Sequence, residues 1–125
     1  MEARFLRCAL VLAIAILSAG AGRPYASVRS QHFIVSAPSQ QLALKVRDSY
    51  RARTGIPTST YIGTNGINPR ADMAGLNLSV VPKVLVECGN MRNAGDAAFM
   101  SSTTGRQKVA EGLAGGLAAF LATEG

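Results

Sequence analysis

From Pro82 to Gly89 the chain runs Pro-Lys-Val-Leu-Val-Glu-Cys-Gly, and the unbroken apolar triplet Val84-Leu85-Val86 narrows the possible folds more than any other stretch. A strand with one wet face alternates apolar and polar residues, whereas a continuous apolar run bounded by turn formers is the pattern of a strand covered on both faces. The strand is expected over Val80 to Glu87, with Pro82 at its entry because proline cannot donate to a ladder. Such a strand demands a layer of helix or sheet on each side.

The sequence supplies helices on either side of it. From Ser39 onward Leu42, Val46 and Tyr50 recur at four-residue spacing with Ala43 beside them, predicting one apolar helix face, and Gly55 with Pro57 supplies a stop. Lys45, Arg47, Arg51 and Arg53 occupy the rest of this helix and are expected to form a solvated face. A second helix is expected near the end. Val109, Leu113, Leu117, Phe120 and Leu121 share a face, Thr104 and Gln107 have capping-box spacing, and Gly112, Gly115 and Gly116 would let the helix approach a sheet closely. A short helical stretch is expected over Asp96 to Met100.

Other elements are weaker. His32 to Ala37 is β-rich and stops at Pro38, so it predicts a short strand. Thr58 to Asp72 is rich in Gly, Asn and Pro and predicts a long loop, with a tight turn at Asn65-Gly66, where both residues tolerate positive φ. The resulting order of strand, helix, loop, buried strand and helix makes the fold class α/β, with central strands flanked by helices. Two strands make a thin sheet, and three or more are the usual requirement for independent stability, so the chain is expected to be part of a domain.

Composition narrows the function classes. With 48% hydrophobic and 16% charged residues in 125, one packed domain is feasible and wholesale disorder is not. The N-terminus has a short basic lead with Arg4 and Arg7, an apolar run from Cys8 to Leu17, and the small-x-small triplet Ala19-Gly20-Ala21. That layout is expected of a secretory signal peptide over residues 1–21, followed by a polar linker over 22–30. The apolar run falls short of the roughly 20 residues a spanning helix needs. Cleavage would remove two positive charges and one negative, taking the net charge from +6 to +5. A basic secreted chain is drawn to anionic surfaces such as bacterial wall polymers, nucleic acid or acidic lipid, although a basic surface also serves solubility alone. With Cys8 in the leader, Cys88 stands alone, and a small buried hydrophobe is its expected role.

Glu87 is the candidate catalytic residue. It ends the apolar strand just before a glycine-containing loop, and ligands of α/β proteins gather at the carboxyl ends of strands. A carboxylate at the rim of an apolar strand is expected to lose part of its hydration, which favours its neutral form and suits proton transfer. From residue type alone, a structural glutamate bonded to neighbouring loop amides accounts for the same position.

The segment Pro82-Lys83-Val84-Leu85-Val86-Glu87-Cys88-Gly89-Asn90-Met91-Arg92-Asn93, followed by Asp96, resembles the signature of the Amidase_3 family. Leu76 before the strand and Gly105-Arg106-Gln107-Lys108-Val109-Ala110 at the opening of the last helix are also similar to that family. So is the stretch Tyr61-Ile62-Gly63 through Asn68-Pro69-Arg70-Ala71-Asp72 to Gly75-Leu76-Asn77-Leu78. The resemblance spans roughly Gln31 to Leu121, so residues 31–125 are expected to form the C-terminal part of such a domain.

Family members are zinc-dependent hydrolases of peptidoglycan that cleave the amide between N-acetylmuramic acid and L-alanine. The resemblance gives Glu87 the role of general acid/base and places Gly89 and Asn93 in the loop beside it. It also implies three zinc ligands upstream of the strand at His32 to Ala37, where this chain has leader-like sequence. His32, the single histidine, matches no ligand position, and Asp48, Asp72, Asp96 and Glu111 show no ligand spacing, so no metal ligand is assigned. The expected partner is peptidoglycan, with no nucleic acid, and the expected location is secreted, periplasmic or in the cell wall. A secreted wall-binding protein without hydrolytic activity and a degraded gene remnant are the alternatives.

Overall fold

The computed structural model describes residues 9–13 (backbone only), 37–70, 72, 73, 76, 78, 79 and 81–123. The expected linker, the small-x-small triplet and His32 to Ser36 of the expected first strand lie outside these residues. The described elements are β1 (Ala9–Ala13), α1 (Ala37–Thr54), β2 (Lys83–Glu87), α2 (Ala94–Ser101) and α3 (Thr103–Leu121). No helix among the described residues is long and apolar enough to cross a membrane.

Helix α1 begins two residues earlier than the periodicity predicts, and takes in Ala37 and Pro38. Proline is tolerated in a first helical turn, where its missing N–H would have no partner in any case, so Pro38 opens the helix rather than closing a strand. Leu42, Val46 and Tyr50 are buried as their spacing predicts. The helix stops where Gly55, at φ 73°, donates its N–H to the carbonyl of Arg51 at 2.9 Å.

Strand β2 is shorter than expected, starting at Lys83 directly after Pro82, and it pairs antiparallel with β1. The register places Ala9 opposite Glu87, Val11 opposite Leu85 and Ala13 opposite Lys83. Five residues of the apolar run assigned to the leader thus form the neighbouring strand, and among the described residues the sheet has these two strands. Val84 is buried and Val86 packs against the core, whereas Leu85, on the opposite face, is half-buried and outside that cluster.

Helix α3 lies antiparallel across α1, and here the three glycines act differently from the expectation. They approach a helix, not the sheet. A β-carbon on Gly112 would stand 2.9 Å from the Cα of Tyr50, and one on Gly116 would run into the Cα of Val46. The core consists of Leu42, Val46, Tyr50, Val84, Cys88, Leu113 and Phe120, with Leu42 and Phe120 fully enclosed. Cys88 is buried in this cluster, as expected. Leu121 falls off the buried face and is 43% exposed.

The helix caps also differ. Ser102, not Thr104, caps α3, its hydroxyl accepting from the N–H of Gly105 at 2.9 Å. Thr104 already lies inside the first turn, and Gln107 donates instead to Glu111, one turn on, at 3.1 Å. Gly105 tolerates no side chain there because a β-carbon would overlap the carbonyl of Phe99.

Candidate active site at the end of strand β2

Two hydrogen bonds fix β2 against α1. The hydroxyl of Ser39, in the first turn of α1, accepts from the N–H of Lys83 at 3.1 Å. Near the other end, the buried hydroxyl of Tyr50 donates to the carbonyl of Cys88. From Ser39 to Tyr50 the helix rises about 16 Å, and five strand residues advance about the same, so helix and strand run in parallel with both ends tied. The carboxyl end of β2 is thereby set by the packing of α1.

Glu87 is the last residue of β2, and strand alternation turns it to the face opposite Val84, Val86 and Cys88. Its side chain is exposed, so the burial expected at the strand rim is not provided by the described residues. Two shallow surface hollows flank α1, one reaching Pro57 and the other bounded by Arg53 and Glu111, and Glu87 lines neither.

The loop after Glu87 is held by its own polar side chains. Asn93 caps α2, its side-chain oxygen accepting from the N–H of Asp96 at 3.0 Å. The carboxylate of Asp96 accepts in return from the N–H of Asn90 at 2.9 Å, and the side chain of Asn90 accepts from the N–H of Arg92 at 3.0 Å. Asn93 shapes the loop as the resemblance implies, and Asp96 turns out to tie the same loop shut. Gly89 lies under α2, where a β-carbon would meet the sulfur of Met100 at 2.7 Å.

A charged pair stands near Glu87. Arg70 grips Asp72 through both guanidinium edge nitrogens, with Nε at 2.6 Å from Oδ1. The hydrogen bond from Arg70, followed by the backbone N–H of Asp72 itself, lowers the Asp72 carboxyl to about 2. The hydrogen bond to Asp72 raises the Arg70 guanidinium above its ordinary value, and the negative charge of Glu87 acts in the same direction.

The turn at Asn65-Gly66 forms as predicted, with φ 51° and 74°, and Thr64 and Ile67 exchange N–H···O bonds of 2.9 and 3.0 Å. Arg47, expected on a solvated face, instead donates from its guanidinium to the carbonyl of Asn65 at 3.1 Å and pairs with Asp48 at 2.7 Å. Sequence reasoning did not find the roles of Arg47, Tyr50, Ser39 and Arg70. For Tyr50 a signal exists: a tyrosine on a buried helix face needs a partner for its hydroxyl.

The described residues do not fit a catalytic zinc ion. Such an ion needs about three convergent protein ligands, and among the described residues no group of three His, Cys, Asp or Glu side chains comes together. Each of the four candidate acids is engaged elsewhere: Asp48 with Arg47, Asp72 with Arg70, Asp96 with Asn90, and Glu111 with Arg53 at 3.1 Å and with Gln107. His32 lies outside the described residues.

Residues 27–119 match the Amidase_3 family, described as N-acetylmuramoyl-L-alanine amidase. An N-acetylmuramoyl-L-alanine amidase of Mycobacterium tuberculosis is 51% identical over 92 residues, which make up 74% of this chain and 38% of the relative. The crystal structure of an N-acetylmuramyl-L-alanine amidase from Mycobacterium smegmatis superposes with a TM-score of 0.63 at 50% identity, over 70% of this chain and 40% of that one. The apo form of the corresponding enzyme from Mycobacterium abscessus gives 0.62 at 43% identity, over 70% of this chain and 42% of the other. The chain thus spans about two fifths of the length of these relatives.

Proposed function

The chain belongs to the Amidase_3 family of N-acetylmuramoyl-L-alanine amidases, and from that membership we propose that it acts in peptidoglycan cleavage at the amide joining N-acetylmuramic acid to L-alanine, with Glu87 moving the proton. The observation that carries this reading is the position of Glu87: the last residue of β2, before a loop closed by Asn90, Asn93 and Asp96. In that role the carboxylate takes a proton from the attacking water as the oxygen adds to the amide carbonyl. It returns the proton to the departing nitrogen as the C–N bond breaks, leaving a carboxylic acid and a free L-alanine amine. Exposure of Glu87 leaves it open to a polymeric substrate.

Zinc supplies the family reaction with a polarised carbonyl and an activated water. The described residues hold no ligand set for it, and the role of Glu87 is derived without it. The basic leader, apolar run and small-residue triplet support secretion to the cell wall or periplasm.

The test is hydrolysis of purified peptidoglycan, followed by the appearance of peptides with a new L-alanine N-terminus. Glu87→Gln is expected to lower the rate at least about a hundredfold, the usual contribution of a positioned proton donor. Equal rates for the two proteins would remove Glu87 from the chemistry. N-terminal sequencing of the exported protein checks the location, with Gly22 expected first, so that β1 leaves with the leader, and a retained Met1 against it.

A second reading is favoured by the engagement of Asp48, Asp72, Asp96 and Glu111 with protein partners: retention on wall polymers without cleavage, driven by the net positive charge, +6 for the whole chain and +5 without the leader. It requires binding to purified peptidoglycan that weakens with salt, and no retention at low salt excludes it.

A further inference from the structure

Glu87 sits on a strand end whose next residue is held twice. The side chain of Cys88 is 3% exposed and belongs to the core, and its carbonyl accepts the hydroxyl of Tyr50 across 38 residues of sequence. Tyr50 in turn is fixed from behind. Its ring is buried, and its Cα lies under Gly112 of α3, closer than a side chain there would permit. One turn earlier, Val46 is gripped in the same way by Gly116. The hydroxyl therefore reaches the Cys88 carbonyl from a backbone that two helices lock in place.

The two peptide planes on either side of the Glu87 Cα set the direction in which its side chain leaves the strand, and the one shared with Cys88 is anchored at Cys88, whose own carbonyl, one peptide further on, is the group held by Tyr50. From these contacts we infer that Tyr50 is a positioning residue for Glu87, acting through the Cys88 carbonyl to aim the carboxylate at the substrate side of the sheet end. Tyr50 touches neither substrate nor the reacting atoms. Its contribution is geometric, and misplacement of a catalytic group by about 1 Å is enough to cost a large factor in rate. The Asp96 to Asn90 bond closes the far side of the loop, so Cys88 is the point where the core and the loop meet. The inference rests on the acid/base role proposed for Glu87.

The experiment compares the full chain with Tyr50→Phe, which removes the hydroxyl and keeps the ring, and with Phe120→Leu, which loosens the enclosed core near the end of α3, outside the Gly112 and Gly116 contacts. Two readouts are taken: the NMR resonance of the Glu87 carboxyl carbon and steady-state hydrolysis of a soluble muropeptide. Tyr50→Phe is expected to shift the Glu87 resonance and to lower kcat about tenfold with KM nearly unchanged. Phe120→Leu is expected to lose at least as much stability and leave both readouts in place. A Glu87 resonance unmoved in Tyr50→Phe, or moved equally by Phe120→Leu, overturns the inference. If the unmodified chain does not hydrolyse the muropeptide, the amidase reading fails on that result, and the resonance alone still decides whether Tyr50 orients Glu87.

Discussion

Gly116 of α3 lies directly over the Cα of Val46 in α1, closer than any β-carbon could come. With Gly112 over Tyr50 one turn away, it lets two antiparallel helices meet backbone to backbone and enclose Leu42 and Phe120 completely. The contact reaches the candidate site because Tyr50 carries it on to Cys88, the residue after Glu87.

Gly116→Ala should destabilise the chain by about 2 kcal/mol, because overpacking outweighs the gain of about 1 kcal/mol in helix propensity. Gly115→Ala should be neutral or stabilising, since its β-carbon would meet only the hydroxyl of Ser49, which can rotate away. Urea denaturation midpoints check both, and equal shifts for the two variants would contradict the packing described.

Phe120→Ala should cost about 3–5 kcal/mol, the range for emptying a fully enclosed aromatic site. Leu121→Ala, at a position 43% exposed, should cost about 1 kcal/mol or less. The same denaturation experiment separates the two faces of the helix end.

Removing the caps of α2 and α3 tests their starts. Asn93→Ala and Ser102→Ala should each cost about 1 kcal/mol, whereas Thr104→Ala should change stability by no more than about 0.5 kcal/mol. A Thr104→Ala loss equal to that of Ser102→Ala would restore the boundary expected from the sequence.

Asp72 should titrate near 2 by NMR, and Arg70→Gln should return it toward the ordinary value of about 3.9. Because the folded value is depressed, the stabilisation from Asp72 is complete above about pH 4 and disappears as pH falls through about 2. The pair is exposed, so added salt should shrink the effect. An Asp72 titration unchanged by Arg70→Gln would show that the guanidinium is not its partner.

Much of the local structure was legible in the residues. The spacing of Leu42, Val46 and Tyr50 set the face of α1, and Gly55 set its end. Asn65-Gly66 gave the turn, and Pro82 marked the entry to β2. The cap of α3 was misplaced because Ser102 and Thr104 are both competent cap residues, and only the position of Gly105 against Phe99 chooses between them. Glu87 was found from its place at a strand end, whereas Arg47, Ser39 and Arg70 acquire their roles from partners distant in sequence or from the fold of a loop.

Periodicity, turn chemistry and the run of residues around Glu87 were enough to determine where the helices lie, which faces are apolar and which family the chain belongs to, because each depends on near neighbours along the chain. Tertiary structure alone decided that the glycines of α3 meet a helix, that Val84 and Val86 of β2 face the buried cluster, and that the hydroxyl of Tyr50 holds the carbonyl of Cys88, the residue after Glu87. Those are contacts between segments dozens of residues apart, and their geometry is fixed only when side-chain volumes and unpaired polar groups are satisfied together in three dimensions.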